Sequence, residues 1–285
     1  MSSNESVRSG ALYVVATPIG NLADLSPRAQ SVLSGVTAIL AEDTRLTGAM
    51  LTHFGLHKTL IAVHDHNETE VSASLVERLR AGDSFALVSD AGTPLISDPG
   101  FGLVRAARVA SVPVLTVPGP SAAIAALSIS GLPTDRFVFC GFLPPKSAAR
   151  VKALQALAGE SRTLVFYESS HRIVESVEAF VEVFGTARRL CLARELTKLY
   201  EESVTAPAAE VLAWLRADAN RSRGEFVLVV EGAEAVAQDT DVEKLLRILL
   251  TELPPSRAAR VATEISGGSR KEIYALAVKL GGREE

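Results

Sequence analysis

Ser89-Asp90-Ala91-Gly92-Thr93-Pro94-Leu95-Ile96-Ser97-Asp98-Pro99-Gly100 follows directly on Phe85-Ala86-Leu87-Val88. The apolar tetrapeptide is short and tightly bounded, which predicts a buried strand. Two glycines and two prolines then exclude regular structure and force a shaped loop. Its small side chains leave space for a ligand to lie against the backbone. One turn of this composition would carry little. The same grammar, an apolar run ending in Gly, Pro or charge, recurs along the whole chain.

Upstream, Leu12 to Ala16 ends in Thr17-Pro18-Ile19-Gly20-Asn21, and Thr37 to Ala41 ends in Glu42-Asp43-Thr44-Arg45. Leu60 to Val63 runs into His64-Asp65-His66-Asn67-Glu68, and Val114 to Val117 into Pro118-Gly119-Pro120-Ser121. Helical stretches separate these runs. One has Ser26 as N-cap and Pro27 at its first position and stops near Gly35; others close at Gly55 and span Thr69 to Ala81. Ser121 is expected to cap an alanine-rich helix. Strands alternating with helices predict a mainly parallel α/β sheet, whose ligand crevice lies beyond the carboxyl ends of the strands. The concentrations of Gly, Pro and charge fall on that edge.

Downstream, Phe137 to Cys140 ends in Gly141 to Lys146, Thr163 to Phe166 in Tyr167 to Arg172, and Leu190 to Ala193 in Arg194 to Lys198. Gly224-Glu225-Phe226 opens a last strand, Val227 to Val230. The expected organisation is a loose tail (1–10), an N-terminal α/β domain (11–118) and a C-terminal α/β domain (119–232) with a cleft between them. Residues 233–285 follow as an acidic, alanine-rich linker and a helical tail reading helix, turn, helix. That tail carries Arg257, Arg260, Arg270 and Lys271, placed to contact phosphates or to be a solvated hairpin.

The 285 residues are 47% hydrophobic with a formal net charge of -4, so no bulk positive field marks a nucleic-acid protein. Cys140 and Cys191 both lie in strand-like runs and read as reduced core residues. No apolar run reaches the roughly 20 residues of a membrane span, and residues 1–10 lack the apolar core of a signal peptide. A soluble, cytoplasmic protein is expected. There is no G-x-G-x-x-G after the first strand, no G-x-x-x-x-G-K-[ST] and no G-x-S-x-G, which argues against a Rossmann dehydrogenase, a P-loop NTPase and an α/β hydrolase. His64, Asp65, His66 and Glu68 lack a third ligand at diagnostic spacing, so no metal site is expected.

Six ordered motifs nevertheless carry a likeness: Thr17-Pro18-Ile19-Gly20-Asn21, Ala41 to Arg45, Ser89 to Pro94, Val117 to Ser121, Tyr167 to Arg172 and Arg194 to Lys198. Together they resemble the tetrapyrrole-methylase-type S-adenosylmethionine (SAM) methyltransferases. Within that superfamily they look most like the bacterial enzymes that 2'-O-methylate a cytidine ribose in small-subunit (16S) ribosomal RNA. The likeness implies two α/β domains, SAM in the cleft, a homodimer and a small-subunit substrate. The cofactor contacts it implies are Thr17, Pro18 and Ile19; Ser89, Asp90, Ala91, Gly92, Thr93 and Pro94; Ser121 and Ala122; Tyr167 and Glu168; Phe226 and Val227. Tetrapyrrole-acting members have more glycine in the first loop, where this chain has Thr17 and Pro18.

Ribose methylation needs the oxygen held in line with the methyl group, and a base or cation beside it. Asp43 and Glu195 are the candidates for base or orienter, and Arg45 and Lys198 for placing phosphate or stabilising the alkoxide. Lys146, Arg150 and Lys152 form a local basic patch. Two other readings stay open: a methyltransferase acting on a tetrapyrrole-like small molecule, and a non-catalytic protein sensing a nucleotide-like ligand.

Overall fold

The computed structural model describes residues 7–64, 67–234 and 242–281. Residues up to Gly232 form one compact unit and those from Ala233 a second. In the first unit, strands β1 (Leu12–Val15), β2 (Ala38–Ala41), β3 (Leu60–Ala62), β4 (Phe85–Leu87) and β5 (Val114–Val117) make an all-parallel sheet in the order β3-β2-β4-β1-β5. Helices α1 (Pro27–Gly35), α2 (Thr44–His53), α3 (Glu68–Arg80) and α4 (Phe101–Val109) connect them. Separate apolar clusters, one around Leu33 and Ile39 and one around Leu40 and Leu103, bury the strands on both faces. That double burial is why each strand reads as an unbroken apolar run.

Local chemistry sets the helix ends. Ser26 Oγ accepts a hydrogen bond from Ala29 N at 3.1 Å, with Pro27 opening α1. α4 has no local signal: its capping acceptor is Glu68 of α3, which takes Leu103 N at 2.8 Å and Gly100 N at 3.2 Å. A carboxylate at a helix N-terminus satisfies orphan donors and complements the dipole. The tail is tied down from Val7 onward. Val7 packs against the first sheet's core, Arg8 N donates to Tyr13 Oη at 2.8 Å and Ser9 Oγ to Gly82 O at 2.7 Å.

After α5 (Ala122–Ile129) comes a second sheet of β6 (Phe137–Phe142), β7 (Thr163–Ser169), β8 (Arg189–Arg194), β9 (Glu202–Pro207) and β10 (Glu225–Val230), ordered β6-β7-β10-β8-β9. The expectation of a mainly parallel sheet fails here. Only β6 and β7 run parallel; β10 is antiparallel to both β7 and β8, and β8 to β9. β7 continues through Tyr167, Glu168 and Ser169, read above as loop, because those residues pair with the start of β10. β6 reaches Phe142 past an irregularity between Phe139 and Gly141. Helices α6 (Ser147–Gln155), α7 (Ile173–Phe184) and α8 (Ala208–Arg216) lie between these strands in sequence. One face packs around Phe166 and Phe180; on the other, α5 is joined by Ile19 from the first loop. Cys140 and Cys191 are free thiols, and burial pushes the Cys140 pKa up to about 11.

The second unit holds α9 (Val242–Leu249), α10 (Pro255–Ser266) and α11 (Arg270–Gly281) around Leu246, Ala258, Ala262, Ile273 and Ala277. Pro255 opens α10, and Gly267, left-handed at φ 67°, ends it. Arg257, Arg260, Arg270 and Lys271 are all exposed. Among the described residues, no helix is long and apolar enough to cross a membrane.

Candidate functional site

The loops after β1 and β4 meet where the sheet changes direction, since β1 connects towards β2 on one side and β4 towards β5 on the other. Thr17 and Gly92 exchange backbone hydrogen bonds at 2.9 and 3.1 Å, and Thr17 Oγ1 donates to Ser89 O at 3.1 Å. Thr93 Oγ1 donates to Pro120 O at 3.0 Å, which adds the loop after β5. Gly92 has φ +82°, and a Cβ there would come within 3.3 Å of Ile19 Cγ2, so the position favours glycine. Of five described non-glycine residues with positive φ, four lie in two loops: Leu95 and Ser97, and Glu195 and Thr197. Such conformations each cost about 1–3 kcal/mol and cluster at ligand sites.

Between these loops and the second sheet lies a cavity of about 420 Å³. Ile19, Asp90, Ala91, Gly92, Thr93, Ala122, Tyr167, Glu168, Phe226 and Val227 line it. The structure brings Phe226 and Val227 there because β10 is antiparallel: its first residues lie opposite Glu168 and Tyr167 at the end of β7. Thr17, Pro18, Ser89 and Pro94 are buried and do not line the cavity. Ser121 stands at the N-cap position of α5 without a capping side-chain bond, so the expected cap is absent. Burial is the main cause raising the pKa of neighbouring Tyr167, and the nearby Ser121 hydroxyl opposes it.

Glu42, Ile96, Ser97, Asp98, Phe142, Ser169, Leu196 and Glu225 complete the lining; the sequence placed them in strand-end stretches without assigning them to the site. Asp98 is the most informative. Burial, opposed by a hydrogen bond with Ser89 and reinforced by the Glu42 and Asp90 charges, lifts its pKa from 3.8 to about 6. Glu168 is fully buried yet satisfied: Arg172 Nη2 lies 2.8 Å away, Ser176 Oγ donates at 2.6 Å and Ser169 N at 2.8 Å. The cavity therefore combines apolar walls (Ile19, Leu196, Phe142, Val227) with carboxylates, a lining suited to a ligand that joins an apolar ring to cationic groups.

Asp43 caps α2, accepting from Arg45 N at 2.8 Å, and pairs with Arg45 Nη2 at 2.7 Å. The Arg45 side-chain bond is the main cause holding its carboxyl down at about 2. Its backbone N–H donates to Asp90 Oδ1 at 3.0 Å, which ties it to the cavity wall. Arg45 itself is largely exposed.

Lys198 Nζ sits 3.0 Å from Glu195 Oε1 and 2.7 Å from Glu225 Oε2. Burial opposes Lys198's charge, but the two carboxylates outweigh it and raise its pKa. Glu195's carboxyl is lowered: burial works against that, while the Glu225 backbone N–H and Lys198 favour the anion. A Cβ on Gly20 would collide with the Lys198 stem, so the first loop and Lys198 touch. Through Glu225 this cluster adjoins the cavity.

Of the expected basic patch, Lys146 and Lys152 are exposed, but Arg150 is buried against Glu175 at 2.8 Å and faces no solvent-borne partner. Among the described residues no group of acidic, His or Cys side chains could hold a metal; Asp65 and His66 lie outside them.

The profile of the Tetrapyrrole (Corrin/Porphyrin) Methylases matches residues 11–212, and that of the RsmI C-terminal HTH domain matches 236–281. The chain is 51% identical over 275 residues to the Ribosomal RNA small subunit methyltransferase I of Escherichia coli O157:H7, covering 96% of each. It is 53% identical over 267 residues to the protein of that name from Xylella fastidiosa Temecula1, covering 93% of this chain and 98% of the relative. Its fold resembles the crystal structure of the methyltransferase CobJ, with a TM-score of 0.59, 20% identity, and 79% and 95% of the two chains covered. On this sequence match and this two-sheet architecture, the chain belongs to the tetrapyrrole (corrin/porphyrin) methylase family.

Proposed function

We propose that this protein is a SAM-dependent methyltransferase that 2'-O-methylates a cytidine ribose of 16S ribosomal RNA within the small subunit. The observation that carries the reading is identity of about half, over nearly the full chain, with relatives named as small-subunit ribosomal RNA methyltransferases. The cavity fits the cofactor: its apolar walls suit an adenine, and Asp90 and Asp98 offer carboxylates to the positive groups of SAM. When bound, SAM supplies an electrophilic methyl group on a cationic sulfur.

The residues around the cavity hold the ribose oxygen in line with that methyl at near-attack distance, which contributes on the order of 7–11 kcal/mol. Lys198, kept protonated by Glu195 and Glu225, places a cation beside the oxygen and stabilises its developing negative charge. Glu195 orients Lys198 and receives the hydroxyl proton, which becomes strongly acidic once the oxygen has begun to bond carbon. Asp43, at about 2, acts as an orienter that fixes the loop bearing Asp90 and presents Arg45 to an RNA phosphate.

Substrate reading is local, through the exposed Lys146 and Lys152 and the tail cations, so the assembled subunit binds more tightly than free RNA at matched salt. The enzyme acts in the cytoplasm as a homodimer; the exposed apolar Phe101 and Val109 of α4 are surface that an interface would cover.

The deciding experiment offers isotope-labelled SAM with small subunits, free 16S RNA and a tetrapyrrole precursor in parallel. Label in subunit RNA at one position resistant to alkaline cleavage is the expected result. Label only in the macrocycle overturns the substrate, and SAM binding without any transfer favours the ligand-sensing alternative.

A further inference from the structure

A second cavity, of about 460 Å³, is lined by Arg194, Glu195, Tyr200, Asn220, Arg223 and Gly224. Its Glu195 pairs with Lys198, which in turn pairs with Glu225 of the first cavity's wall. Its chemistry differs from that of the first cavity. Arg194 ends β8 and is only 9% exposed; Nη1 meets Glu202 at 3.1 Å, but buried Nε has no hydrogen-bond partner among the described residues. A buried donor left without an acceptor is unfavourable, and a ligand that supplies an acceptor relieves it. Arg223 and Asn220 are exposed beside it, and Tyr200 is 69% exposed. The loop carrying Tyr200 is also shaped by left-handed Glu195 and Thr197, at φ 50° and 66°.

We propose that this cavity holds one nucleotide of the RNA strand, a neighbour of the one methylated; the inference rests on the RNA-methylation reading above. Arg194 and Arg223 take its phosphate, because planar guanidinium groups match phosphate oxygens in a way ammonium does not. Tyr200 stacks its base, and the Asn220 amide reaches the base edge. An anion, a flat aromatic face and an edge of donors and acceptors are the features of a nucleotide in a single-stranded segment. The cavity volume falls in the range of small-molecule sites. A nucleotide held here and a ribose beside Lys198 share the Glu195 wall, so the site fixes the register of the strand.

The test uses Tyr200→Ala, Tyr200→Phe and Arg223→Ala in the full chain; both positions are exposed, and unchanged SAM affinity verifies each fold. Cosedimentation with isolated small ribosomal subunits is measured across a salt series, beside methyl transfer to the same subunits. Tyr200→Ala is expected to bind about tenfold more weakly with an unchanged salt slope, and Tyr200→Phe to bind like the native protein. Arg223→Ala is expected to flatten the slope of log K against log salt by about 1, the signature of one lost phosphate contact. Native-like binding by Tyr200→Ala and Arg223→Ala, with methyl transfer intact, overturns the nucleotide site and leaves the function standing. Subunit binding that depends on both residues, without methyl transfer, keeps the site and sinks the function. A native protein that does not bind subunits overturns the site.

Discussion

Replacing Asp98 by Asn removes a carboxyl that the fold holds at a disadvantage. Asp98 is half-buried in the cavity wall, near Glu42 and Asp90, and its pKa is lifted from 3.8 to about 6. At about 1.36 kcal/mol per pKa unit, that elevation sets a ceiling of roughly 3 kcal/mol. Solvent still screens the group, so about 1–1.5 kcal/mol is the realistic figure. Because the folded pKa is raised, the stability tied to this proton is fully present below 3.8 and lost as pH rises through about 6. Asp98→Asn should therefore be more stable than the native protein by about 1–1.5 kcal/mol at pH 7.5, by about half that at pH 5, and by almost nothing near pH 4. Urea denaturation without ligand, run at the three pH values, measures it.

The same substitution should weaken SAM binding about tenfold at pH 7.5, since a charge-assisted hydrogen bond is worth about 1.5–3 kcal/mol. At pH 5 the two proteins should bind SAM more nearly alike, because native Asp98 is then mostly protonated. A variant that gains stability while losing ligand is the expected compromise at a site strained for function. A stability difference that is absent at pH 7.5, or the same at every pH, would refute the reasoning.

Lys198→Met should lower kcat about a hundredfold with SAM affinity within threefold, read by single-turnover methyl transfer to small subunits; retained turnover removes Lys198 from the chemistry. Glu168→Ala strips the acceptor from half-buried Arg172 and buried Ser176 and should cost about 2–3 kcal/mol in urea denaturation, because the Ser176 hydroxyl is left unpaired in the interior while Arg172 can turn to solvent. Neutralising Arg257, Arg260, Arg270 and Lys271 together should flatten the salt slope of subunit binding by about 3 while leaving SAM affinity unchanged, as cosedimentation and calorimetry would show.

Much of the first sheet was legible because a parallel strand buried on both faces is an unbroken apolar run, and Phe85-Ala86-Leu87 before Ser89 is such a run. The likeness across six loops was legible for the same reason: loops at one sheet edge keep their chemistry in short contiguous words. What local pattern could not show depends on distant partners. α4 is capped by Glu68, some 32 residues before Gly100, and nothing adjacent announces it. The antiparallel direction of β10, which sets Phe226 and Val227 opposite Glu168 and Tyr167, follows from pairing alone. Arg150 reads as a surface cation in sequence and is buried because Glu175 meets it from α7. Asp98 becomes unusual only when Glu42 and Asp90 are folded beside it.

An acidic chain with a polyanionic substrate is a physical tension, and the placement of charge resolves it. Residues 255–281 carry Arg257, Arg260, Arg270, Lys271 and Lys279 against Glu264 and Glu272, a local charge of +3, although the whole chain is at -4 and the remainder therefore at -7. Carboxylates gather where the proposed ligand is cationic: Glu42, Asp90, Asp98 and Glu225 all line the first cavity. Guanidinium groups stand where the proposed ligand is anionic, at Arg194 and Arg223 of the second. Beyond about 8–10 Å at physiological salt the acidic body's field is screened, so binding rests on contacts made at close range. A uniformly basic protein gains affinity for any RNA. One whose proposed RNA contacts are a few local clusters of cations on an acidic body gains little from RNA at large, so its discrimination comes from the shape of the target.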